Sequence, residues 1–327
     1  MVACQLYKRV SFLNIIMTIT SLFSGAGGLD LGLIQAGNRI VWANDIDKDA
    51  VDTYRNNIGT HIVCQDIKQI SVNDIPMADV IVGGFPCQGF SVANLRRTES
   101  DERNLLYKFF YTIVKEKQPK FFIAENVKGI LSLGGGKVIR QIVEDFNSAG
   151  YLVEIHKINV ADYGVPQHRD RVIILGQRND IAERILFVFP QPTHSKDGGG
   201  LPKWVSMREA LTSVPESYNQ KSDPNAYGSA YRFVARNFTA HRVSDPDKPS
   251  PTILARGNGK GGVCAIPHYN GERRLTIRES AIIQTFPVDF IFSGKMGSCY
   301  RQIGNAVPVK FARKLGEELI RLEDIGI

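Results

Sequence analysis

An α/β fold with a doubly wound, mostly parallel sheet and a second, smaller irregular domain is what this chain of 327 residues predicts. Three observations carry that expectation. Through residue 176, short β-rich apolar runs alternate with helical patterns, the signature of a parallel sheet wrapped by helices. Beyond residue 178 the texture turns to Pro, Gly, Ser and Tyr with weak periodicity, including Gly198-Gly199-Gly200. Helical order then returns at 276–284 and 309–322, so the chain comes back to finish its first domain.

In chain order, apolar β-rich runs place strands at 18–23, 40–44, 61–64, 80–83, 121–124, 151–160 and 171–176. Helical patterns fall between them at 29–36, 48–57, 104–117 and 137–149, the last ending at Gly150 as a C-cap glycine would. Residues 1–16 read as an upstream extension, 17–177 as a catalytic and cofactor-binding domain, 178–272 as a loop-rich domain, and 273–327 as a returning segment. Lys8-Arg9 before an apolar stretch imitates a signal peptide, but Asn14 interrupts it and no cleavage site follows.

Composition excludes several classes. No apolar run approaches the roughly 18 residues of a membrane helix, and Cys4, Cys64, Cys87, Cys264 and Cys299 form neither a zinc spacing nor a disulfide framework. A cytoplasmic protein without a metal site is expected. The net charge of +7 suits a polyanionic partner without requiring one. Between 228 and 274, eight basic residues face three acidic ones, so much of the excess sits in one late segment.

Directly after the first strand, Phe23-Ser24-Gly25-Ala26-Gly27-Gly28 is a glycine turn opening a helix, which lets backbone N–H groups approach negative charge. Asp30 occupies the third glycine position of a dinucleotide fingerprint, which argues against a nicotinamide ligand. Asp45 follows the second strand, where a carboxylate accepts ribose hydroxyls, and Asp66 follows the third, placed to receive an exocyclic amine. Either acid alone reads equally as a solvated loop residue; two at successive strand ends favour an adenosine ligand.

The fourth strand runs into Pro86-Cys87-Gln88, placing a cysteine on the ligand edge of the sheet, with Pro86 stiffening the turn. A lone cysteine is most often an inert small hydrophobe, so its neighbours decide. The polar stretch 88–104 reads as a lid carrying Arg96, Arg97 and Arg103. One strand later Glu125, in Ala124-Glu125-Asn126-Val127, is an acid able to hydrogen-bond or protonate a ring nitrogen. In Gln167-His168-Arg169-Asp170-Arg171, the alternate arginines should point one way, toward a base oxygen or a phosphate, with His168 at the surface.

In this order the pieces resemble the cytosine-C5 DNA methyltransferase family of the bacterial modification type: F-S-G-A-G-G, P-C-Q, E-N-V and Q-x-R-x-R, then Arg273-Arg274-Leu275-Thr276-Ile277-Arg278-Glu279 and Gln302-Ile303-Gly304-Asn305-Ala306-Val307-Pro308. The match covers nearly everything from Thr18 onward except about 95 residues in the middle. The resemblance implies the Rossmann-like fold of S-adenosylmethionine-dependent methyltransferases, with S-adenosylhomocysteine as product. It implies donor contacts by Phe23, Ser24, Gly25, Ala26, Gly27, Gly28, Asp45, Ile46, Asp66, Ile67, Leu106, Asn305 and Ala306. Cys87 would be the nucleophile, held between Pro86 and Gln88; Glu125 the acid at the cytosine ring; and Arg171, with Arg169, the holder of a flipped nucleotide. Ile46 stands where the family often has an aromatic, and Gln65 replaces a usual glycine, so donor affinity is expected to be weaker.

The resemblance further implies a monomer acting on double-stranded DNA in restriction-modification, with a cognate restriction endonuclease acting separately. The middle domain would recognise the target, its Pro251-Thr252-Ile253-Leu254 run resembling a mark found there, with Tyr231, Arg232, Phe233, Arg236 and His241 suited to phosphates and base edges. An RNA cytosine-5 methyltransferase and a catalytically inactive DNA-binding protein are the alternatives.

Overall fold

The computed structural model describes residues 16–86, 105–212, 244–255 and 266–323. The first half alternates as expected: β1 (Thr18–Leu22), α1 (Gly28–Gln35), β2 (Arg39–Asp45), α2 (Lys48–Asn57), β3 (Ile62–Cys64), β4 (Val80–Gly83), α3 (Leu105–Lys117), β5 (Phe121–Val127) and α4 (Lys137–Ser148). Then follow β6 (Tyr151–Asn159), β7 (Asp170–Arg178), α5 (Asn179–Ala182), α6 (Met207–Leu211), α7 (Ile277–Ile283), α8 (Met296–Asn305) and α9 (Val309–Glu323).

The seven strands form one sheet in the order β3-β2-β1-β4-β5-β7-β6. Every pairing from β3 to β5 is parallel, while β7 runs antiparallel to both β5 and β6. Chain order reverses between β1 and β4, and in such sheets ligands bind beyond the carboxyl ends of the strands at that reversal.

Alternation along the strands builds the core. Phe121 and Ile123 of β5 join the layer beneath α1, α2 and α9, while Phe122 and Ala124 join the layer beneath α3 and α4. The β7 residues Ile173 and Leu175 follow the first pair, and Val172 and Ile174 the second. Helix α9 lies on α1, so the last helix packs onto the first. A third cluster gathers Met207, Leu211, Ile253 and residues of α7 and α8, with Ala26 of the glycine turn at its margin.

One boundary and one helix differ from expectation in ways that matter to the site. Strand β5 continues through Glu125 and Asn126 to Val127, because β7 pairs with it up to Arg171. Helix α8 has no counterpart in the apolar pattern; burial of Cys299, Tyr300 and Ile303 forms it despite Gly297, Ser298 and Gly304. Among the described residues no helix is long and apolar enough to cross a membrane.

Candidate active site

The glycine turn closes over the end of β1. Phe23, Gly25 and Gly27 all take left-handed backbone angles, with φ of 54°, 56° and 84°. For Phe23 that is a strained conformation, and strain of this kind persists only where surrounding contacts impose it. The Gly25 N–H donates to Asp45 Oδ2 at 2.8 Å, and the Asp47 N–H donates to Asp45 Oδ1 at 2.8 Å. Burial pushes the Asp45 carboxyl above its usual value, while those backbone donors oppose the shift. Asp45 thus braces the turn from both of its oxygens. Asp66 caps its own turn by accepting from the Lys68 N–H at 3.1 Å.

One cavity of about 940 Å³ joins this turn to the catalytic candidates. Phe23, Ser24, Gly25, Ala26, Gly28, Asp45, Ile46, Asp66, Ile67, Leu106, Asn305 and Ala306 line it together with Pro86, Glu125, Arg169 and Arg171. Gly27 does not: it is pressed against Tyr54 and Ile58, where a Cβ would lie 2.2 Å from the Ile58 side chain. Its role is to let those side chains in under the turn. Cys87, Gln88 and the 88–104 stretch lie outside the described residues, as do Tyr231, Arg232, Phe233, Arg236 and His241.

Strand register explains the charged pair in the cavity wall. Arg171 sits opposite Val127, two positions along β5 from Glu125, so the two side chains are diagonal neighbours on one face. Arg171 Nε lies 2.7 Å from Glu125 Oε1, with both side chains 12% exposed. The pair is not aligned as a hydrogen bond, and among the described residues neither Oε1 nor Nε has a hydrogen-bond partner. The two charges compensate each other, and the residues stand together in the cavity wall.

Arg169, beside it, is tied to the backbone. It is 1% exposed, and its guanidinium donates to the carbonyls of Ile253 (2.9 Å), Gly304 (2.8 Å) and Ala306 (3.2 Å). Burial and the neighbouring Arg171 pull its pKa down to about 9, with Glu125 opposing, so it is a cation at neutral pH committed to backbone carbonyls. Both arginines line the cavity; Arg169 gives its two terminal nitrogens to backbone carbonyls, while its Nε has no hydrogen-bond partner among the described residues. His168 is exposed, as expected.

Two contributors were not singled out in the sequence. The Asn126 side chain donates to the Phe85 carbonyl at 3.1 Å, fixing the backbone two residues before Cys87. Arg301 of α8 pairs with Asp47, the N-cap of α2, at 2.8 Å on the cavity rim. No local pattern announces either, because each partner is distant in sequence.

The family model for the C-5 cytosine-specific DNA methylase matches residues 17–321. The chain belongs to that family. It is 40% identical to the type II methyltransferase M.NgoFVII of Neisseria gonorrhoeae, covering 97% of this chain and 90% of that protein. It is 37% identical to type II methyltransferase M.MthTI of Methanothermobacter thermautotrophicus, across 93% and 97% of the two chains. Among solved structures, a prophage-encoded E. coli protein described as a candidate DNA modification methyltransferase superposes with a TM-score of 0.71 at 25% identity, covering 94% of this chain and 99% of that one. The Dnmt2 methyltransferase of S. pombe shares the fold, with a TM-score of 0.67 at 20% identity over 95% of this chain and 100% of its own. In this cytosine-C5 methylase, the six sequence motifs therefore belong to one family and not to a chance assembly.

Proposed function

We propose that this chain is an S-adenosylmethionine-dependent DNA methyltransferase that modifies carbon 5 of a cytosine swung out of duplex DNA, in a restriction-modification setting. The observation that carries this reading is the Glu125–Arg171 ion pair, which lines one cavity with the glycine turn. A cytosine ring presents a nitrogen that an acid can protonate and an oxygen that a guanidinium can hold.

The residues present fit the donor. A Cβ at Gly25 would meet nothing within 4 Å, so the turn leaves room over its backbone. The 23–28 turn, Asp45, Ile46, Asp66, Ile67, Leu106, Asn305 and Ala306 would hold it. S-adenosylmethionine, when bound, supplies the electrophilic methyl group that carbon 5 accepts.

Carbon 5 of cytosine is a poor nucleophile, so the Cys87 thiolate first adds to carbon 6 and pushes electrons toward it. Glu125 protonates or hydrogen-bonds nitrogen 3 as this negative charge develops, and Arg171 holds the ring from the same strand pair. Once carbon 5 is methylated, loss of its proton returns electrons to the ring and the Cys87–carbon 6 bond breaks. None of these atoms is reachable inside a stacked duplex, so the base must be extruded, with the 88–104 segment as lid and residues 178–272 reading the target.

Incubation of unmethylated duplex DNA with enzyme and donor, followed by bisulfite mapping, tests the whole reading; 5-methylcytosine at a fixed sequence context is expected. Methylation of RNA in place of duplex DNA would reassign the substrate, and no methylation of either would remove the activity. Glu125→Gln keeps size and hydrogen-bond reach but cannot give a proton, so kcat should fall by about 10²-fold with duplex affinity retained. Single-turnover methyl transfer measures it.

A further inference from the structure

Beneath the glycine turn lies a buried carboxylate that the chemistry above does not use. Asp30, in α1, is completely buried, accepts from Ser21 Oγ at 2.6 Å and from Tyr54 Oη at 2.8 Å. Ser21 Oγ in turn accepts from Ser24 Oγ at 3.0 Å. Ser24 sits inside the turn and is held to β2 by its own N–H, which donates to the Asn44 carbonyl at 2.9 Å. On the other side, Tyr54 Oη lies 3.0 Å from His61 Nε2 at the edge of the fold. Tyr54 reaches Asp30 only because residue 27 is glycine: a Cβ there would stand 2.8 Å from the Tyr54 ring.

We propose that Asp30 is a positioning residue for the methyl donor, its carboxylate acting through Ser21 and Tyr54 to hold the 23–27 turn in the strained shape that receives it. The inference rests on the donor reading above. As a carboxylate, Asp30 accepts from two hydroxyls at once, which fixes the direction of the chain Ser24 to Ser21 to Asp30 and keeps Tyr54 packed under Gly27. An amide cannot do the same, because its N–H face must meet one of those hydroxyls and turn that proton away. Burial pushes the Asp30 carboxyl up to about 6, so at pH 8 the chain keeps an anion in its core at a cost to stability, the pattern of a group retained for function.

The test is calorimetric titration of S-adenosylhomocysteine at pH 8 into wild type, Asp30→Asn and Tyr54→Phe, with thermal midpoints and donor kinetics alongside. The expected result is binding by wild type, about tenfold weaker binding by both variants, a kcat/KM loss that resides in KM for the donor, and an Asp30→Asn midpoint equal to or above wild type. A purely structural role predicts a lower midpoint with unchanged affinity in the folded fraction. Equal affinities overturn this inference alone, whereas no binding by wild type overturns the donor reading and the inference with it. Tyr54→Phe, which deletes one hydroxyl and keeps the ring, carries the test should Asp30→Asn not fold.

Discussion

Replacing Cys87 by alanine is expected to abolish methyl transfer, by at least about 10³-fold in kcat, while duplex binding survives. The size follows from the chemistry: without a bond at carbon 6, carbon 5 has no electrons to offer, and no other side chain can substitute for the thiolate. The chain delivers residue 87 from a fixed point. Phe85 is buried, its ring 5.6 Å from that of Tyr107 and 5.7 Å from that of Phe110, and its carbonyl is held by Asn126. Tritium transfer to duplex DNA measures the loss. A duplex carrying fluorine at carbon 5 adds a second readout, because fluorine cannot leave as the proton does and the thiolate adduct should persist on wild type alone. Transfer by the alanine variant within tenfold of wild type would overturn the nucleophile assignment.

Much of this was legible before any coordinates. Strand β4 at Val80–Gly83 and helix α2 at Lys48–Asn57 fall where the apolar pattern put them, because each is short, strongly patterned and bounded by turn residues. Cys87 and Glu125 could be singled out because a parallel sheet presents its strand ends along one edge, so a reactive residue just past a strand is already a site candidate. The limits have equally definite causes. Glu125 and Asn126 broke the apolar run of β5, and only pairing with β7, some 50 residues later, keeps them in the strand. In sequence Asp30 reads only as the residue in the third glycine position of a dinucleotide fingerprint, because its partners Ser21 and Tyr54 lie 9 and 24 residues away. Arg169 was correctly placed on the same side as Arg171, but its partners lie 84 to 137 residues away. Alternation gives direction; it does not give the destination of a long side chain.

That destination sets the second large effect: Arg169→Met should destabilise the fold by about 3–5 kcal/mol, because two buried carbonyls lose the donors of its terminal nitrogens, at roughly 1–3 kcal/mol each. The carbonyls of Ile253 and Gly304 would lose their donor at the centre of a buried polar node. Gln167 Nε2 donates to Gln284 Oε1 at 2.8 Å and Gln167 Oε1 accepts from the Ile253 N–H at 3.0 Å. Gln284 Nε2 donates to the Ile303 and Ala306 carbonyls. The packing leaves no slack: a Cβ at Gly304 would lie 2.4 Å from the Ala255 nitrogen, so neighbouring backbone cannot shift inward to rescue those groups. Methionine fills the stem's volume but donates nothing, and lysine offers a point charge that cannot span three carbonyls, so Arg169→Lys should recover part of the loss. At this chain length the expected drop in thermal midpoint is about 4–7 °C for methionine. Scanning calorimetry beside methylation assays decides between the two roles for this arginine. Holding a flipped nucleotide predicts a normal midpoint with lost activity; binding the 250–255 segment to the cavity wall predicts that both fall together.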